Sequence, residues 1–215
     1  MNKSGLTHRV QQGKSVASLA YKNGLFWETV WNHPKNENLR KLREDHNILF
    51  PGDEVFIPPL RIKEVNVSTG KPVKFRKKGV PEKLNLQFFN LDREPYGGVD
   101  YELLMEGRSW RGKLDDQGWL HVDIPPDSQH GRITLGTQED AWTIDLDLGH
   151  LDPITELTGL QARLRNLGYF HGEITGQKTE DFLSAVHAFR TAHGLEVNFE
   201  IGDDFQAKLK EIHGA

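Results

Sequence analysis

HRVQQGKSVASLAYKNG, residues 8–24, reads as a strand, a tight turn and a helix in quick succession. His8-Arg9-Val10 is the strand, Gly13 supplies the turn, and Ser15 has the side chain to cap a helix that starts beside it. Val16, Leu19 and Ala20 then share one helical face. Asn23-Gly24 stops the helix, because glycine accepts the left-handed backbone with which helices end. Lys14 follows the turn glycine and sets a positive charge at its lip.

The residues that follow complete a small module. LFWETVWNHPKN (25–36) fits a second short helix with Phe26, Trp27 and Val30 turned inward, and Pro34 limits its extension. NENLRKLRED (36–45) fits an additional exposed helical turn or two. ILFPGDEVFIPP (48–59) gives a turn at Pro51-Gly52 and a strand over Glu54–Ile57, closed by two prolines. The predicted order is strand–helix–helix–strand.

Period-two alternation takes over beyond residue 83. Leu84, Leu86 and Phe88 form one alternating set, and Val99, Tyr101, Leu103 and Met105 a second. Leu120, Val122 and Ile124 form a third, and Trp142, Ile144, Leu146 and Leu148 a fourth. Gly97-Gly98, Glu106-Gly107, Asp116-Gln117-Gly118 and Pro125-Pro126 separate them, the pattern of a small antiparallel β-sandwich. The period then changes again. Leu157, Leu160, Leu164 and Leu167 are helically spaced, as are Phe182, Ala185, Val186 and Phe189 behind a Thr179 cap. Phe205, Leu209 and Ile212 repeat the spacing after Asp203, with Gln206 placed for a capping box. The expectation is a multidomain α+β chain: a βααβ module over 1–60, a basic connector over 61–82, a β-sandwich over 83–149 and a three-helix bundle over 150–215.

Composition narrows the function classes. With 215 residues, 36% hydrophobic and 27% charged, the chain is neither disordered nor membrane-embedded. The absence of cysteine excludes a thiol nucleophile, a disulfide framework and a thiolate metal site. Ten histidines are present, yet no His-Glu-x-x-His occurs, and His187 and His193, six apart, fall on different faces of a helix, so no metal or cofactor is expected. No Gly-x-Ser-x-Gly elbow occurs, and Glu28 has aromatic neighbours that would suit an acid catalyst if they buried it. It lies in a module too small to enclose a substrate, so the chain reads as non-enzymatic, with a cell-wall hydrolase as the remote alternative.

The net charge of −4 argues against nucleic acid, and no stretch reaches transmembrane length, which argues against membrane insertion. Lys71, Lys74, Arg76, Lys77 and Lys78 concentrate positive charge in the connector, which suits docking to an acidic surface. MNKSGLTHRVQQGK, the first fourteen residues, lacks the apolar centre of a secretory signal. The expected location is cytoplasmic at synthesis, with any export by another route.

Two stretches resemble known families. HRVQQGKSVASLAYKNG, Asn32 and LFPGDEVFIP (49–58) together resemble a LysM module, with Lys14 in place of the family's turn acid and a longer link before the last strand. That resemblance implies a shallow groove for N-acetylglucosamine chains. Gly13, Lys14, Ser15 and Val16 would form one side of it and Leu49, Phe50 and Pro51 the other. Residues 154–212 resemble the three-helix peptidoglycan-binding domain through LQARLRNLGYFHGEITGQKTEDFLSAVHAFRTAHGL (160–195) and EVNFEIGDDFQAKL (196–209), without its usual Asp-Gly pairs, Ile174-Thr175-Gly176 and Asn198-Phe199-Glu200 standing in their places. In that frame Tyr169 and Phe170 are the loop aromatics placed to stack on sugar, Tyr169 having the alternative of closing the core. GKLDDQGWLHVDIPP (112–126) resembles, in outline, immunoglobulin-like or transthyretin-like modules.

The whole architecture resembles accessory proteins of type VI secretion and other contractile injection systems. The resemblances imply peptidoglycan as the ligand and a spike or effector protein as a further partner. The rival expectation is an adaptor or chaperone that has repurposed both modules.

Overall fold

Ser15 and Ser18 close the start of the first helix on each other. The Ser15 hydroxyl accepts from the Ser18 N–H at 3.1 Å, and the Ser15 N–H donates to the Ser18 hydroxyl at 3.0 Å. This reciprocal cap starts α1 (Val16–Lys22) and directs Val16, Leu19 and Ala20 into the core. Asn23 and Gly24 end the helix, with Gly24 at φ 70°. The computed structural model describes residues 4–60, 66, 70, 72, 81–90, 92–137 and 140–215. The chain divides into two units, Met1–Asn47 with Gly52–Gly149, and Ile48–Pro51 with His150–Ala215.

In the first unit, β1 (Leu6–Arg9) pairs antiparallel with β2 (Glu54–Ile57), His8 standing opposite Val55. Between them lie α1, α2 (Trp27–Trp31), a 3-10 turn (Pro34–Asn36) and α3 (Glu37–Leu42). Val30 is buried as expected, but Phe26 is 46% exposed. The reason is its position: Phe26 is the N-cap of α2, in extended backbone ahead of the turn that faces the core.

The segment that sequence suggests is a spare link holds two structural pins. Asn36 donates to Val30 O at 2.7 Å and Phe56 O at 2.8 Å and accepts from the Phe56 N–H at 2.7 Å, tying α2 to β2. Arg43 grips Asp53 with two hydrogen bonds of 2.8 and 3.0 Å, both side chains being buried.

The β region forms two antiparallel sheets. β3 (Glu82–Gln87) pairs with β6 (Trp119–Ile124). A four-stranded sheet has the order β5-β4-β7-β8, made of β4 (Asp100–Met105), β5 (Arg108–Lys113), β7 (His130–Leu135) and β8 (Trp142–Asp147). Leu84, Phe88, Leu103, Met105, Leu114, Leu120, Ile124, Ile133 and Leu135 form one buried cluster shared by both sheets. Glu106-Gly107 is the two-residue turn between β4 and β5, with φ 47° and 73°.

β5 and β7 have no alternating apolar set in the sequence reading. Trp110 is the one large apolar side chain of β5, an edge strand whose other face carries Arg111 to Glu102 and Lys113 to Asp100. β8 carries its apolar set, although Trp142 is largely exposed. The connector cations Lys71, Lys74, Arg76, Lys77 and Lys78 lie outside the described residues.

The second unit contains α4 (Leu157–Asn166), α5 (Glu180–Ala192) and α6 (Asp203–His213) around Leu160, Leu164, Phe170, Phe182, Ala185, Val186, Phe189, Phe205 and Leu209. Thr179 caps α5 by accepting from the Phe182 N–H at 3.3 Å. The capping box expected at Asp203 and Gln206 does not form, because Gly202 occupies the N-cap and moves Asp203 into the first turn. Ile212 lies exposed rather than in the core. Gly159 admits the preceding segment closely: a methyl there would stand 2.1 Å from Pro153 O. The architecture is therefore mixed α+β, with antiparallel sheets followed by C-terminal helices.

Candidate functional site

The turn at Gly13 has little left to offer a ligand through its backbone. Gly13 is buried at φ 80°, and its carbonyl accepts from Gln129 Nε2 at 2.8 Å. Gly149 passes so close that a methyl on it would stand 3.0 Å from Gly13 O. The Lys14 N–H donates to Gln11 O at 3.1 Å, and the Val16 N–H to His46 O at 2.9 Å. The Ser15 N–H is held by Ser18. Val16 is a core side chain and cannot cover a sugar face; the Lys14 side chain is half-buried at the surface.

Leu49 is likewise a buried core residue, Phe50 is half-buried and Pro51 exposed. These three group with the second unit and Gly13 to Val16 with the first, so the two expected walls belong to different units.

In the second unit, two buried polar side chains organise the loops between helices. Gln161 on α4 donates to Gln177 O at 2.9 Å and accepts from the Gly176 N–H at 2.8 Å. Arg190 on α5 donates to Glu196 O at 2.6 Å, to Glu200 O at 3.2 Å and to Asp204 Oδ2 at 2.6 Å. Each follows directly on a core residue, Leu160 and Phe189, so the helix backbone aims both into their loops. The Arg190 hydrogen bond, helped by the Phe205 backbone N–H, holds the Asp204 carboxyl below the usual carboxylate range.

Phe170, expected to stack on sugar, is 2% exposed and packs edge-on against Phe182 at 6.0 Å, which leaves no free ring face. Tyr169 is half-buried, edge-on to Phe189 at 5.4 Å, with its hydroxyl 3.2 Å from His193 Nε2. It closes the core, the alternative that the sequence left open.

The aromatic that the bundle does present is Phe199, 57% exposed in the Arg190-pinned loop with Val197 beside it. Its ring lies 5.3 Å from that of His187, tilted by 30°. Sequence reasoning treats Asn198-Phe199-Glu200 as a missing Asp-Gly pair and so passes over it. The available signal was Val197 and Phe199 alternating with Glu196, Asn198 and Glu200 in a connecting loop. Glu28 is exposed on α2, with no enclosing cleft around it of the kind a catalytic carboxylate works in. Among the described residues, no three of His, Asp or Glu converge as a metal-ligand set.

Residues 155–209 match the family described as "Putative peptidoglycan binding domain", a span that takes in α4, α5, most of α6 and both pinned loops. No curated protein and no solved structure gives a significant match. The family match supports a cell-wall binding role for the C-terminal helical unit.

Proposed function

We propose that this chain is a non-enzymatic peptidoglycan-binding protein that attaches through its C-terminal bundle. The observation that carries this reading is Phe199 exposed beside His187, on a loop fixed by Arg190, inside the span that matches the family. A rigid loop loses little entropy on binding, and an exposed aromatic face suits the apolar face of a sugar ring or a stem-peptide side chain. Sedimentation with insoluble peptidoglycan tests it. The intact chain is expected in the pellet, and Phe199→Ala is expected to lower the bound fraction severalfold. An intact chain that stays in the supernatant overturns the reading.

A second reading is favoured by the first unit. The pairing of β1 with β2 around the intervening helices supports a LysM-like module, and the two-sheet region supports an immunoglobulin-like one. Yet the turn that a LysM ligand would use is engaged by Gln129 and Gly149. In this reading the first unit is a protein-docking adaptor that links a spike or effector of a contractile injection system to the wall. Such a system would also carry the chain out of the cytoplasm. Co-purification with a spike or effector protein, persisting in Phe199→Ala, would support it.

A further inference from the structure

The β region has a pocket of mixed polar and apolar lining that none of these roles uses. It lies where the two-stranded β3–β6 sheet meets the edge strand β5. It measures about 400 Å³ and is lined by Lys83, Asn85, Trp110, His121, Val122 and Asp123. That volume lies in the range of sites for small organic ligands. We propose that this pocket binds an N-acetylhexosamine unit of a glycan, with Trp110 under the sugar ring and the polar side chains on its hydroxyl and acetamide groups.

The strand register builds one wall. Lys83 stands opposite Asp123 and Asn85 opposite His121, so four polar side chains share one face of two strands. Trp110 comes from the other sheet, half-buried against the shared core and so held in orientation. An indole beside mixed donors and acceptors suits a pyranose, which has an apolar ring face and a polar rim.

The polar groups are partly preorganised. His121 stacks on Trp119 at 5.6 Å with the rings 13° from parallel, and its Nδ1 lies 2.7 Å from Asn85 Oδ1. That contact engages the Asn85 oxygen and leaves its NH2 to donate. Among the described residues, Lys83 and Asp123 form no ion pair with each other despite their register. An ammonium donor and a carboxylate acceptor therefore both stand available. The mixture of one cation, one anion and neutral groups fits a neutral sugar better than a phosphate, which calls for clustered cations.

The choice of glycan rests on the wall-binding reading, but the site does not overlap Phe199. The test is calorimetric titration of the full chain with chitotetraose, a soluble N-acetylglucosamine tetramer. Binding is expected, and Trp110→Ala and Asp123→Ala are each expected to weaken it at least tenfold. Trp142→Ala should leave it within twofold. Asp123 and Asn85 are exposed, so Asp123→Ala and Asn85→Ala report on the site even if Trp110→Ala unfolds the domain. No measurable heat, or unchanged affinity in both Asp123→Ala and Asn85→Ala, overturns the proposal. Chitotetraose binding without sedimentation on peptidoglycan would overturn the wall-binding reading and leave the pocket standing.

Discussion

Arg190 and Asp204 form a 2.6 Å ion pair in which the guanidinium side is 2% exposed and the carboxylate side faces solvent. The asymmetry makes Arg190 the structural partner. Its charge is out of water and is satisfied by two loop carbonyls as well as by Asp204. Arg190→Ala removes the donor from all three, and the expected loss is about 2–4 kcal/mol. Asp204→Asn should cost far less, because that side of the pair is hydrated. Urea denaturation followed by far-UV circular dichroism measures both.

His213 predicts an acid-sensitive bundle. Burial, followed by the nearby Arg163 charge, pushes its pKa down to about 4, and burial lowers Arg163 itself to about 10. An unfolded histidine takes its proton near pH ~6.5, so between there and pH 4 the unfolded state binds more protons. Stability should therefore fall as pH drops through that window, by on the order of 2 kcal/mol, and be indifferent to His213 above it. The lowered Asp204 carboxyl acts separately: its contribution holds above the usual carboxylate range and is lost only below it. Melting temperatures from pH 4 to 8 should show a shallower slope in His213→Gln.

Gln129 and Gly149 anchor the Gly13 turn inside the first unit. Gln129→Ala leaves Gly13 O without that donor and should cost about 1 kcal/mol. Gly149→Ala should cost more, since its φ is 76° and the added methyl would crowd the Gly13 backbone. Amide exchange at residues 11–16 should quicken in both variants.

Lys14 tests the ligand class at the same turn. Its side chain is half-buried, its backbone bond to Gln11 does not depend on residue type, and Lys14→Asp should leave the melting temperature nearly unchanged. If Lys14 meets a stem-peptide carboxylate or an acidic protein surface, the charge reversal lowers binding severalfold. Equal sedimentation and equal partner capture by both forms would exclude that role.

Sequence alone determined the elements whose signals are local. The Ser15 and Thr179 caps, the Gly24 stop and the helical stripes of α1, α4 and α5 all follow from neighbours within a turn or two. Helices close their hydrogen bonds over four residues, so short stretches carry enough information to place them. The family resemblance of the bundle was legible for the same reason, and the match over residues 155–209 agrees with it.

Tertiary structure alone decided what those elements present. β5 shows little alternation because one face meets solvent and the other contributes Trp110, and only pairing with β4 makes it a strand. Phe170 and Phe199 are both loop phenylalanines in the sequence, yet one sits beneath Phe182 and the other stands in solvent beside His187. Burial depends on partners distant along the chain, and composition does not name them. Asn36, Gln161 and Arg190 look like surface polar residues until the fold surrounds them with unsatisfied backbone groups. A buried carbonyl or N–H must find a partner, and that requirement comes into being only when the chain has closed around it.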